Sequence, residues 1–279
     1  MKENSHEAVI ECKNLGIDFG GLTAVDDFNK SIASSQISGL IGPNGAGKTT
    51  VFNLLTKVYN PTRGSILLNG KDTKNMSITD INKAGIARTF QNIRLFNNLS
   101  VLDNVLVGMH NSTNHSILDS VLRLPRYWKS EKEAKEKAMD LLSIFGMQDI
   151  YKEYSGSLSY GSQRKLEIAR ALATNPSLLL LDEPAAGMNH SETEELMETI
   201  RKVQARFKIA ILLIEHDMQL VMGICSDITV LNYGRIIASG TPTQIQNNPN
   251  VIEAYLGSSH DTKIEEVQAM LQNPTKSEA

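Results

Sequence analysis

The sequence predicts an α/β fold that has a β-rich N-terminal part and an inserted α-helical subdomain. A glycine-rich loop at residues 42–50 joins a short apolar run to a helical pattern over residues 50–58. The apolar runs 178–181 and 209–214 are typical of strands that are buried on both faces of a sheet. Between the loop and these runs, residues 100–154 shift in composition towards helix. The strands and the loop therefore form the predicted core, and the helical segment is an insertion into it.

The N-terminal part consists of predicted strands and tight turns. Residues 8–15 and 27–32 suit strands on either side of a turn at residues 19–21. Residues 64–70 alternate in polarity and end on Asn-Gly, which is a hairpin signal. Phe19 lies upstream of the glycine-rich loop, where its ring either stacks on a nucleotide base or packs in the core, and spacing alone leaves both open.

The glycine-rich loop reads GPNGAGKTT and fits the phosphate-loop pattern of P-loop NTPases. Gly45 and Gly47 can adopt backbone angles that let N–H groups wrap around phosphate oxygens. Lys48 can place its charge on the β- and γ-phosphates, and the Thr49 hydroxyl can ligate Mg²⁺. We therefore expect a nucleoside triphosphate site rather than a chance glycine-rich turn. The predicted phosphate-binding residues are Gly42, Pro43, Asn44, Gly45, Ala46, Gly47, Lys48, Thr49 and Thr50.

The inserted segment contains two predicted helices. Ser100 and Ser130 each stand three residues before an acidic residue, which is the capping-box pattern at a helix start. The stretch 111–128 between the helices is less regular, and the charged face of residues 131–145 is typical of solvated surface. We expect the helical subdomain to extend over residues 92–160.

A second cluster of chemistry follows the insertion. Residues 158–163 read LSYGSQ and open a predicted helix, whose N-terminal turn can hold an anion but does not by itself identify one. The run 178–181 ends in Asp182 and Glu183, which is the Walker B arrangement of an apolar strand and two carboxylates. Asp182 is expected to hold Mg²⁺, directly or through water. Because the chain bends at a strand end, Glu183 can face the γ-phosphate and polarise the attacking water.

The run 209–214 leads to a histidine. A single histidine is usually a surface or core residue, but His216 follows a buried strand beside the strand-end carboxylates, which makes it a candidate contact to the γ-phosphate. A helix over residues 191–207, with a capping box at Ser191, joins the two strands.

Composition limits the class of protein. Hydrophobic residues make up 41% of the 279 residues, which is enough for a core, and the net charge of −3 argues against a nucleic-acid partner. Cys12 and Cys225 form no disulfide framework or metal spacing, so we expect buried thiols in a reducing cytosol. The N-terminus is polar rather than a signal peptide, and no apolar run approaches the roughly 20 residues that span a bilayer.

One ordered set of motifs runs through residues 8–257. It resembles the ATP-binding subunit of ABC transporters, because other P-loop GTPases, kinases and helicases lack LSxG between the two Walker motifs. The set consists of residues 42–50, Gln91, LSYGSQ, LLLLDEP, AAGMN and His216.

Finer details resemble the ATPases that power branched-chain amino acid uptake through a membrane permease. These details are LSYGSQ in place of LSGGQ, AAGMN after the Walker B glutamate, FGGLTAV, and the closing GTPTQIQNNPNVIEAYLG. ATPases of urea or amide import and of lipopolysaccharide export share several of them, although the 111–128 insertion fits the importers better. The resemblance implies a peripheral position at the cytoplasmic face of the inner membrane, and leaves residues 258–279 as a C-terminal tail.

The resemblance also implies roles for single residues. Phe19 would stack on the adenine of ATP. Gln91 would sense Mg²⁺, alongside Thr49 and Asp182, and would link the site to the helical subdomain. With Lys48 as the third catalytic residue, Glu183 would be the general base and His216 the switch histidine.

Ser159 and Gly161 would belong to the signature, which in this family contacts the ATP that is bound by the other subunit. One chain has one phosphate loop and one signature, so each active site needs a second ATPase chain, identical or LivF-like. Permease subunits and, indirectly, a periplasmic solute-binding protein complete the implied partners. Tyr160, Ser162 and Asn189 depart from the family pattern at positions that bear on the contacts between subunits.

Two rival classes fit less well. ABC ATPases that act on DNA or ribosomes usually carry a long coiled coil or two ATPase units in one chain. A signalling NTPase has no use for LSYGSQ.

Overall fold

Two β-sheets form the framework of the computed structural model, which describes residues 8–110 and 125–256. Strands β1, β2, β4 and β5 form an antiparallel sheet in the order β2-β1-β4-β5. The other sheet has the order β10-β9-β3-β8-β7-β6, and its pairs are parallel except β9–β10. The strands are β1 Ala8–Phe19, β2 Leu22–Ala33, β3 Ile37–Ile41, β4 Arg63–Leu68, β5 Lys71–Asp72, β6 Ile86–Arg88, β7 Leu178–Asp182, β8 Ala210–Ile214, β9 Asp227–Asn232 and β10 Arg235–Gly240.

Helices connect and cover these strands. None of those in the described ranges combines the length and the apolar character that crossing a bilayer requires. Most of the predicted 111–128 stretch and the whole tail 258–279 lie outside the described residues. The helices are α1 Lys48–Leu55, α2 Ile78–Ala84, α3 Val101–Gly108, α4 Pro125–Ile144, α5 Tyr160–Leu172, α6 His190–Phe207, α7 Met218–Ile224, α8 Pro242–Gln246 and α9 Pro249–Leu256.

The central strands separate two hydrophobic cores. In β7, Leu178 and Leu180 join the core that contains α1 and the antiparallel sheet, whereas Leu179 and Leu181 join the core that contains α3 to α7. Successive side chains of a strand point to opposite faces, so a strand between two cores must be apolar throughout. This arrangement explains the continuous leucine run and confirms the predicted α/β core.

The inserted region is helical, as expected. Helices α3, α4 and α5 pack on one another. Ser100 begins α3 as predicted, since its Oγ accepts a hydrogen bond from the Asp103 amide at 3.0 Å. Ser130 does not begin a helix, because α4 starts at Pro125. The boundaries 92–160 of the subdomain stay a prediction.

Helix α6 begins earlier than the capping pattern at Ser191 predicts. Asn189 is its N-cap: Oδ1 accepts from the Glu192 amide at 3.0 Å, and Glu192 Oε2 accepts from the Asn189 amide at 3.0 Å. Two overlapping capping patterns occur here, and the structure uses the first, so the predicted start was wrong.

The carboxyl ends of four strands meet at one edge of the large sheet. Ile214 of β8 pairs with Leu40 of β3 on one side and with Asp182 of β7 on the other. Arg88, at the end of β6, pairs with Leu180 of β7. Ligands of open parallel sheets bind beyond this edge, which is where the predicted site residues follow their strands.

Candidate functional site

The phosphate loop connects β3 to α1 and requires glycine at two positions. Gly42 has φ 148° and Gly47 has φ 103°. A Cβ atom on Gly42 would overlap the carbonyl oxygen of Leu231, and one on Gly47 would lie 2.8 Å from the carbonyl oxygen of Ala24. The loop is therefore closely packed between β9 and β2, and its backbone N–H groups precede a helix N-terminus that favours an anion.

The Lys48 side chain binds the main chain of its own loop. Its Nζ donates to the carbonyl oxygens of Gly42 at 2.6 Å and Pro43 at 3.0 Å. Burial lowers the pKa of Lys48, and the negative charges of Glu183 and Asp182 oppose that shift. The two carboxylates and the ammonium are thus close enough to interact electrostatically.

Asp182 is held by an arginine that the sequence analysis missed. Arg88 donates from Nη2 to Asp182 Oδ2 at 2.6 Å and from Nη1 to Asn53 Oδ1 of α1 at 2.7 Å. Both members of the ion pair are buried. The signal in the sequence that could have revealed this ion pair is a charged residue at the end of the short apolar strand β6.

Glu183 turns out of its strand as predicted. It has φ 46°, a left-handed conformation that is strained for a residue with a side chain, and its amide donates to the Ile214 carbonyl at 2.9 Å. Gln91 Nε2 donates to Glu183 Oε2 at 2.8 Å. The structure therefore brings two of the predicted site residues into direct contact.

His216 follows β8 with its side chain exposed, one residue after a buried carboxylate. That carboxylate, Glu215, accepts hydrogen bonds from the amides of Ala185 at 2.8 Å and His216 at 3.0 Å. Burial raises the pKa of Glu215, and these hydrogen bonds oppose the shift. Glu215 joins the segment after Glu183 to the segment that carries His216, a role that the sequence analysis did not predict.

Phe19 stands at the tip of the β1–β2 hairpin. The residue is 43% exposed, and its ring meets Tyr59 edge to face, with 5.1 Å between the centroids. Phe19 is therefore not a core residue, and the exposed part of its side chain is available for stacking.

The signature turn forms the start of helix α5. Ser159 is the N-cap of α5, where its Oγ accepts from the Ser162 amide at 3.3 Å, and Gly161 is buried against Glu192. Within the described ranges, no hydrogen bond or ion pair joins this turn to residues 42–50. Ser159 and Gly161 therefore make no polar contact with the phosphate loop of their own chain.

Comparisons with known proteins identify the family. A family model described as ABC transporter matches residues 25–186. The chain belongs to the ABC transporter ATP-binding proteins. This ABC ATPase hydrolyses ATP to drive transport, and it binds ATP and ADP. A second model, described as the branched-chain amino acid ATP-binding cassette transporter, matches residues 235–261.

Individual relatives agree with the family. The ABC ATPase is 45% identical over 251 residues to BraF, a high-affinity branched-chain amino acid transport ATP-binding protein of Pseudomonas aeruginosa, covering 90% of this chain and 98% of BraF. It is 44% identical over 253 residues to LivG of Escherichia coli K12, covering 91% and 99%. A crystal structure of an ABC transporter's ATP-binding cassette in its ADP conformation has a TM-score of 0.78 at 30% identity, covering 90% of this chain and 99% of that one. These comparisons confirm the predicted fold and enzyme class.

Proposed function

We propose that this ABC ATPase powers the uptake of branched-chain amino acids. The observation that carries the solute class is the 45% identity to BraF over almost the whole of both chains. The match of residues 235–261 to the family model named for the same solutes supports it. In this proposal the protein is bound peripherally to permease subunits at the cytoplasmic face of the membrane, and a periplasmic binding protein delivers the solute.

The strand-end residues divide the catalytic work. Glu183 is the general base, because its carboxylate is turned out of the strand and held by Gln91. Lys48 stabilises negative charge on the phosphates, and His216 contacts the γ-phosphate from the neighbouring strand. The hydrogen bond between Gln91 and Glu183 makes the position of the base depend on residue 91.

The nucleotide lies along the phosphate loop. Backbone N–H groups of the loop bind the phosphate oxygens, except at Pro43, which has no N–H, and the positive-φ glycines Gly42, Gly45 and Gly47 allow the tight turns that such a loop needs. The exposed ring of Phe19 stacks on the adenine.

Mg²⁺ fits the oxygen atoms at this edge. Proteins usually hold Mg²⁺ with one or two of their own oxygens together with substrate phosphates. The exposed Thr49 hydroxyl and Asp182 Oδ1 supply two such oxygens, because Arg88 is bound to the other Asp182 oxygen. Gln91 can add its Oε1, since its Nε2 is bonded to Glu183. When bound, the ion neutralises charge on the β- and γ-phosphates.

The site is completed by a second chain. Ser159 and Gly161 have no bond to the phosphate loop of their own chain, so we assign them to ATP that is held by a partner subunit, identical or LivF-like. ATP then contacts two chains in the closed dimer and one in the open dimer, and it favours closure by that difference. Hydrolysis removes the γ-phosphate contacts and releases the pair.

Uptake measurements test the solute. Deleting the gene in its host should abolish high-affinity uptake of radiolabelled leucine, isoleucine and valine. The wild-type gene should restore uptake, and a Lys48→Ala version should not. If branched-chain uptake persists while urea or amide uptake, or lipopolysaccharide export, is lost, the proposed solute class is wrong.

A further inference from the structure

Arg164 of helix α5 is fully buried, which is unusual for an arginine. Its Nη1 donates to the Phe90 carbonyl at 2.6 Å, and its Nη2 donates to the Gln91 carbonyl at 2.6 Å. The guanidinium therefore binds the backbone of the segment that carries Gln91, from a position three residues after the signature glycine.

Glu167 completes the grip on that segment. Its Oε2 accepts from Arg164 Nη1 at 2.9 Å, and its Oε1 accepts from the Arg94 amide at 3.2 Å. Three main-chain atoms of residues 90–94 are thus bound by one buried ion pair, which we call the α5 clasp (Arg164 and Glu167).

The α5 clasp is a costly way to hold a loop. Removing two charges from water carries a desolvation penalty that the pair's attraction only partly offsets, and Arg164 Nε has no hydrogen-bond partner. A buried ion pair is therefore poor evidence of a purely stabilising contact. The clasp does give residues 90–94 a defined position. The planar guanidinium and the carboxylate form these hydrogen bonds only when the main chain lies in one orientation.

The clasp also contacts Tyr160, one of the residues that depart from the family's signature pattern. Tyr160 places its hydroxyl 3.1 Å from Arg164 Nη2. Its ring lies beside Gly187, where an added Cβ would be 3.4 Å from Cε1. Tyr160 therefore links the clasp to the loop that follows Glu183.

We propose that Arg164 and Glu167 are positioning residues that fix the signature turn to residues 90–94, so that α5 and Gln91 move as one body. The proposal rests on the roles given above to Gln91, Ser159 and Gly161. When Gln91 shifts at the γ-phosphate, the signature turn changes its orientation with it. That turn is the part of this chain that contacts the ATP held by a partner subunit. Without the clasp, ATP still binds the phosphate loop, but the turn no longer follows residue 91.

A double substitution tests this without leaving a buried charge. In Arg164→Met/Glu167→Leu both partners become apolar, and replacing a whole buried pair in this way often leaves stability unchanged. The matched control is Lys202→Met/Glu198→Leu, which removes an exposed pair on α6. Both variants are assembled with the partner ATPase and permease subunits.

We expect the clasp variant to bind a fluorescent ATP analogue like wild type and to keep its KM. Its kcat should fall about tenfold. Amide hydrogen exchange in residues 90–94 should accelerate in the clasp variant and not in the control. An unchanged kcat with unchanged exchange, in a folded variant, would overturn the proposal. Binding, melting temperature and turnover that fall together would show a merely structural role and also overturn it.

A single substitution covers the case of a double variant that does not fold. Arg164→Lys keeps a positive charge opposite Glu167 but removes the fork of donors that binds the Phe90 and Gln91 carbonyls, and faster exchange confined to residues 90–94 supports the clasp. Wild-type exchange there overturns it. The hydrogen-exchange measurement does not depend on transport. It therefore remains a valid test of the clasp even if the protein does not transport branched-chain amino acids.

Discussion

Arg88 and Asp182 form a buried ion pair, with Nη2 2.6 Å from Oδ2, at the ends of adjacent parallel strands. The Arg88 guanidinium also lies over the rings of Phe52 and Phe90, with Cζ 5.4 and 5.2 Å from their centroids. The carboxylate that the Walker B motif supplies is therefore oriented by a side chain from β6 and flanked by the helix of the phosphate loop.

Removing Arg88 should destabilise the fold. Arg88→Met leaves Asp182 buried without its counter-charge, and we expect a loss of about 3 kcal/mol in the free energy of unfolding. Urea denaturation without nucleotide measures it. Arg88→Met/Asp182→Asn should recover part of the loss, and Lys202→Met, which breaks an exposed pair, should change stability by less than about 1 kcal/mol. A loss below 1 kcal/mol for Arg88→Met would contradict the role given to the pair.

The phosphate loop's glycines should differ in their tolerance of alanine. At Gly42 the new Cβ overlaps the Leu231 carbonyl, whereas at Gly45, with φ 79°, it meets no atom within 4 Å. We expect Gly45→Ala to cost about 1 kcal/mol, for the left-handed backbone alone, and Gly42→Ala to cost roughly 3 kcal/mol or more. Thermal unfolding of the nucleotide-free variants compares them, and equal losses would mean that the packing against Leu231 does not matter.

Lys48→Ala should abolish ATP hydrolysis. The Lys48 ammonium, which binds the Gly42 and Pro43 carbonyls, is the group that we expect to stabilise negative charge on the phosphates. Losing such a group typically lowers kcat by about a hundredfold or more. Phosphate release by the assembled transporter measures the change. Lys132→Ala, on the exposed face of α4, serves as the control and should hydrolyse ATP normally. Normal turnover in Lys48→Ala would remove the loop from the active site.

The two cysteines should be unreactive in the folded protein. Both are buried free thiols, and burial raises the pKa of Cys12 and of Cys225 to about 12. A raised thiol pKa lowers the thiolate fraction, to about one in ten thousand at pH 8, and the thiolate is the reactive form. We expect almost no reaction with a disulfide reagent until guanidinium unfolds the chain, when two thiols react. Fast native labelling would show that one thiol is accessible.

Local sequence patterns predicted the phosphate loop and the strand that carries Asp182. They missed the contacts between residues that are far apart in the sequence. The loop at residues 42–50 and the strand before Asp182 are visible because residue type and spacing alone define them. Arg88 acts on Asp182 across 94 positions, and Arg164 acts on Gln91 across 73, so no local spacing reveals either contact. The start of α6 was missed for another reason, since two capping patterns overlap there and either could begin the helix.

The central claim is that this chain holds one half of an ATP site and that a second chain supplies the other. The direct measurement is the mass, by light scattering, of Glu183→Gln with saturating ATP and Mg²⁺, alone and mixed with the LivF-like chain. Because this variant should bind ATP without hydrolysing it, we expect a stable dimer that forms only with ATP and that Lys48→Ala does not form. If Glu183→Gln binds ATP and yet stays monomeric under both conditions, the site is not shared between chains.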